Sequence, residues 1–148
     1  MIIRQFLSII LLVFLTGCAV MKIDVDKELQ TVTALEGTDT VVLGVSVDKK
    51  GAPRDGVKEL ILLPGQKVVY AGPKDFTVFF KDKKTPVTQV EIRSEGGLVI
   101  VDIPKDIFER KDLLEEGRKN GFLRFDYGIR VGDRELDPPM IIKRPGNP

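Results

Sequence analysis

FLRFDYGIRV, residues 122–131, sets Leu123, Phe125, Tyr127, Ile129 and Val131 at every second position, with Arg124, Asp126 and Arg130 between them. Successive side chains of a strand point to opposite faces, so this spacing writes one apolar and one polar face. It predicts a half-buried antiparallel strand. Asn120-Gly121 just before it is a natural helix stop. After it, "GDRE" turns the chain, Met140 to Lys143 forms a closing strand, and "PGNP" is a tail.

Working back from that strand, the same alternation recurs. Thr40 to Asp48 aligns Val41, Leu43, Val45 and Val47 on one face, and the Gly-, Pro- and Asp-rich "DKKGAPRDG" turns it. Val57 to Leu63 is an apolar run stopped by Pro64-Gly65, and Lys67 to Tyr70 is a short strand ended by Ala71-Gly72-Pro73. Phe76, Val78 and Phe80 share a side within Phe76 to Lys81, and "DKKTP" turns the chain. Val90 and Ile92 are expected to face inward within Val87 to Arg93. Leu98 to Ile103 is almost continuously apolar, the signature of a central strand buried on both faces. A further short strand is drawn at Leu29 to Leu35.

One helix interrupts the series. Asp106 to Lys119 carries Ile107, Phe108, Leu113 and Leu114 as a partial apolar stripe, and Asp112 with Glu115 has capping-box spacing. Seven to nine strands at intervals of about ten residues, with one helical insertion near 105–119, predict an all-β antiparallel β-sandwich over residues 39–144. Residues 145–148 are its tail. The 148-residue chain, 43% apolar and 30% charged, suits one such domain.

The N-terminus reads differently. Arg4 precedes an apolar run from Phe6 to Leu15, broken by Ser8, which is the order of an export signal. The run falls short of the 20 or so residues of a membrane span. Leu15-Thr16-Gly17-Cys18 follows, with the only cysteine of the chain. This stretch resembles the bacterial lipobox. The resemblance implies a signal peptide at 1–17, diacylglyceryl transfer to the Cys18 thiol, cleavage before it and acylation of the new amine. Residues 18–38 would then be a lipidated N-terminus and tether. Ala19 stands where Asp retains such lipoproteins at the inner membrane of Gram-negative envelopes, which implies the outer membrane, facing the periplasm. Lipidation of this class adds two or three chains, so the lipid bilayer is an expected partner.

"LPGQKVVYAG", "DFTVFFKDKKTP" and "FLRFDYGIRVGDRELDPPMII" are similar to phrases of cupredoxin-like and immunoglobulin-like sandwich domains, together over about residues 40–143. Copper-binding members of the first group hold the metal with His, Cys and usually Met. This chain has no histidine, and Cys18 is committed to lipid. The resemblance therefore implies a copper-free version, and no cofactor is expected.

Composition narrows the chemistry further. Without histidine there is no Ser-His-Asp triad, and the commonest zinc ligand is missing. Ser46 and Ser94 lack a nucleophile elbow. Glu115 and Glu116 diverge as neighbours on a helix, and Asp133, Glu135 and Asp137 do not match a calcium loop. All 22 acids and 22 of the 23 bases follow Cys18, so the mature domain is close to neutral and no nucleic-acid partner is expected. Tyr70, Phe76, Phe79 and Phe80 form an aromatic group with two readings. Either both faces are covered, one by the second sheet and one by the helix, or an exposed ring docks a partner or glycan. Tyr70 and Phe79 are the positions where such a contact would fall. The expectation is a non-catalytic binding or structural module of the cell envelope with a protein partner. The rivals are an accessory lipoprotein of a secretion or pilus machine, a glycan- or peptidoglycan-binding module, and an enzyme working with carboxylates alone.

Overall fold

The computed structural model describes residues 30–54 and 57–146. The signal segment, the lipobox with Cys18, the start of the tether and the last two residues of the tail lie outside them. The strands are β1 (Gln30–Thr33), β2 (Thr40–Gly44), β3 (Ser46–Val47), β4 (Pro53–Arg54), β5 (Val57–Leu62), β6 (Lys67–Ala71), β7 (Thr77–Phe80), β8 (Glu91–Arg93), β9 (Leu98–Asp102), β10 (Phe122–Val131), β11 (Arg134–Leu136) and β12 (Pro139–Lys143). One short α-helix, α1 (Leu114–Asn120), precedes β10.

The strands form a large sheet in the order β1-β5-β12-β10-β7-β8, with β11 added to β10, and a small sheet β2-β6-β9; β3 and β4 make a separate hairpin. The arrangement is sandwich-like. The inner face of the large sheet supplies Leu60, Leu62, Val78, Phe80, Leu123, Phe125, Tyr127, Met140 and Ile142, and the small sheet answers with Leu43, Val68, Tyr70, Val99 and Val101. Tyr70 and Tyr127 meet across the layers with ring centroids 5.9 Å apart. Each of these large side chains, when fully buried, contributes about 1.5–3 kcal/mol.

The sheets are mixed rather than antiparallel throughout. β1 runs parallel to β5, β5 to β12, and β2 to β6. Two chain corners account for the first and last of these. The β1–β2 and β5–β6 connections each leave the large sheet for the small one, and they travel side by side. Strands that enter and leave neighbouring corners in the same sense must pair in parallel. Pro64-Gly65 makes the second corner, with Gly65 at φ 85°, a conformation glycine adopts without penalty. Gln66 fastens one corner to the other. Its side-chain oxygen accepts from Leu63 N–H (2.7 Å), and its amide donates to the carbonyls of Leu35 (3.2 Å) and Thr38 (2.8 Å). It is almost fully buried, yet every polar atom of its side chain is bonded.

Three local expectations change. The helix drawn from Asp106 to Lys119 is split into a 3₁₀ turn at Ile107–Glu109 and α1, with Arg110 extended between them. Arg110 donates to the Thr85 carbonyl (2.7 Å) and grips both oxygens of Asp112, so Asp112 does not cap α1. The bond from Arg110 also holds the Asp112 carboxyl below its ordinary range. Gly121, left-handed at φ 74°, ends α1 as its sequence position implies. Val90 is exposed rather than inward, because β8 begins only at Glu91. β9 is not a central strand but an edge of the small sheet.

Candidate functional site

The outer face of the small sheet follows from pleat and register. In β2, β6 and β9 the inward positions are Val41 and Leu43, Val68 and Tyr70, and Val99 and Val101. The alternate residues face out. Register brings them into three rows across the sheet: Thr40, Lys67 and Asp102; Val42, Val69 and Ile100; Gly44, Ala71 and Leu98. The first row is polar, and its Lys67 and Asp102 form an exposed ion pair at 3.4 Å. The other two rows are apolar. Val42 is 66% exposed, Ile100 49% and Leu98 45%.

A sheet with one wet face ordinarily alternates apolar and polar residues. β9 departs from that rule. Its Leu98-Val99-Ile100-Val101 run is written for a strand covered on both sides, and among the described residues only one side is covered. β2 and β9 have no second strand neighbour among the described residues, so each also presents a free edge. Exposed apolar edges of this kind invite strand addition unless something blocks them. Glycine at 44 and alanine at 71 leave the third row shallow beside Leu98.

The aromatic positions singled out from sequence do not form a platform. Tyr70 is fully buried between the sheets. Burial pushes its hydroxyl pKa well above the ordinary phenol range, and the adjacent Tyr127 adds to the rise. The Tyr70 hydroxyl has no hydrogen bond of good geometry. Phe79 lies on the outer face of the large sheet and is buried as well. Its cover is neither helix nor second sheet. The ring lies on Gly128, where an added Cβ would collide with the Phe79 ring, and the Arg130 guanidinium stacks over it at 4.5 Å.

The carboxylates considered from sequence are dispersed. Glu135 pairs with Arg130 (2.6 Å) and Asp137 with Lys81 (2.9 Å). The hydrogen bond to Asp137 raises the Lys81 pKa above its usual value. Glu116 accepts from Lys84 (2.6 Å) and from the Arg124 backbone (3.0 Å), while Glu115 points to solvent. Among the described residues no three acidic or cysteine side chains gather as a metal site would require. Leu15, Thr16, Gly17 and Cys18 lie outside the described residues. No protein-family model matches the chain, and no characterised protein is significantly similar to it in sequence.

Proposed function

We propose that this chain is a lipid-anchored, non-catalytic binding module of a bacterial cell envelope. In this reading Cys18 carries the acyl chains, and the domain faces the periplasm from the outer membrane. Its fold would be a variant of the immunoglobulin-like or copper-free cupredoxin-like sandwich, without a cofactor. The observation that carries the binding role is the bare apolar face formed by Val42, Val69, Ile100, Ala71 and Leu98. The face spans three strands and two of the three rows, about 15 Å by 10 Å. That is far below the roughly 800 Å² per partner of a stable interface, which argues against a dimer built on this face alone. It suits an extended apolar segment of an envelope protein, laid along the free edge of β9 as an added strand. An added strand would satisfy the free β9 edge, and its own apolar side chains would flank Leu98 and Ile100.

The test places a photo-crosslinking residue at position 100 of the full chain in native membranes. The expected result is one defined heterologous adduct, whose purified partner binds the wild-type domain and fails to bind Leu98→Lys. Adducts only to a second copy, or only to residues 1–29 of the same chain, would reject the partner. The anchor is tested by Cys18→Ser, which should abolish lipid labelling and leave the precursor uncut.

A further inference from the structure

On the opposite side of the molecule, a groove of about 320 Å³ is lined by Lys81, Asp82, Lys84, Glu116, Asn120, Phe122, Arg124 and Asp126. Three elements build it: the turn after β7, the last turns of α1, and the outward residues at the start of β10. Three features set it apart. Phe122 is the one aromatic ring with a large exposed surface among the described residues, at 36%. Asp82 and Lys83, at φ 55° and 58°, are consecutive non-glycine residues in the left-handed region, which is uncommon and costly for side chains of this kind. Such backbone outliers concentrate where a side chain must be aimed at a ligand.

The third feature is charge. The lining holds three bases and three acids, and every base is already engaged. Lys84 is bound to Glu116 and to the Arg124 carbonyl, Arg124 to Asp126 (3.1 Å), and Lys81 to Asp137. A charged ligand would have to break one of these pairs. The exposed side chains of Asp82 and Asn120, in contrast, make no hydrogen bond or ion pair with another described residue. The groove therefore offers a flat apolar ring, a carboxylate acceptor and an amide with both donor and acceptor, inside a neutral and rigid frame. We infer that it is a subsite for an uncharged oligosaccharide. One sugar ring would stack its C–H face on Phe122, and its hydroxyls would donate to Asp82 and exchange hydrogen bonds with the Asn120 amide. The volume matches small-ligand sites at their lower end. This site is separate from the sheet face proposed to dock a protein and stands or falls without it.

The test is amide NMR of the full chain in detergent micelles, titrated with the trimer of N-acetylglucosamine and, in a second arm, with a neutral hexose trimer. Shifts should centre on residues 82, 120 and 122 with at least one of the two. Phe122→Leu keeps an apolar residue in the strand but removes the ring, and should weaken binding about three- to tenfold. Asp82→Gly relieves the backbone and should raise the melting temperature while weakening binding, a combination that a purely structural residue would not show. Absence of shifts at millimolar concentrations of both trimers, or binding that survives Phe122→Leu unchanged, would overturn the inference.

Discussion

Gln66 is the side chain on which the two corners depend. Replacing it with Leu leaves the part-buried Leu63 N–H and the Thr38 carbonyl without partners, each worth about 1–3 kcal/mol when unsatisfied, while the Leu35 carbonyl keeps its bond from Thr38 N–H (3.0 Å). Gln66→Leu should therefore lower stability in urea unfolding by about 3 kcal/mol. A loss under about 1 kcal/mol would show that water enters the corner and takes over the bonds. Tyr70 is the converse case. Its hydroxyl is buried without a good partner, so Tyr70→Phe should leave stability unchanged or raise it by up to about 1 kcal/mol. A clear loss would reveal a hydrogen bond that the hydroxyl makes in solution. Neither role was legible in the sequence. "LPGQ" announces a turn, but that its glutamine reaches back some thirty residues is a tertiary fact. Gly128 is similar: it fits the β10 alternation, while its need to be glycine comes from Phe79 on the neighbouring strand.

Among elements, β10 was bounded to the residue, because apolar residues recur at every second position from Leu123 to Val131 and glycine stands before and after it. The helical insertion was read in place but not in form, since Arg110 and Asp112 satisfy each other and leave the first half of the stripe as a 3₁₀ turn. β9 was misread for a physical reason. A run apolar on both faces normally means double cover, and periodicity alone cannot say whether the second cover belongs to the same domain. Two substitutions separate its faces. Val101→Ala, on the buried side, should cost about 2 kcal/mol. Ile100→Thr, on the bare side, should stay within about 0.5 kcal/mol of wild type, as surface changes do. Equal costs in chemical denaturation would mean that the outer face is covered within the chain itself.

At the scale of the whole molecule, the absence of histidine leaves no side chain with an ordinary pKa between about 5 and 8. Stability should therefore form a plateau from about pH 6 to 9. At the alkaline end Tyr70 has a folded pKa raised above its unfolded value. Its contribution is full below about pH 10 and is lost as pH rises, because the unfolded chain then releases the proton first. The raised pKa of Lys81 acts with the same sign. At the acid end Asp112, whose pKa is lowered, works in the opposite sense, and its contribution fades as pH falls below the carboxylate range. Thermal melts across pH should show the alkaline edge move upward in Tyr70→Phe; an unmoved edge would assign it to the lysines. The strand-rich class and most strand positions were legible in the sequence, whereas the mixed sheet directions were not. Alternation reports which face is buried and carries no information on which way a neighbour runs.

The direction of β1 bears on how the domain would carry load. In the anchored form proposed above, any tug between membrane and domain enters at Gln30 and travels along the axis of β1. Its bonds to β5, continued by Ala34 N–H to the Ile61 carbonyl, lie across that axis. They would be strained together, like a lap joint in shear, instead of parting one by one like a zipper. The glutamine at the corner then serves as a rivet at the far end of the seam.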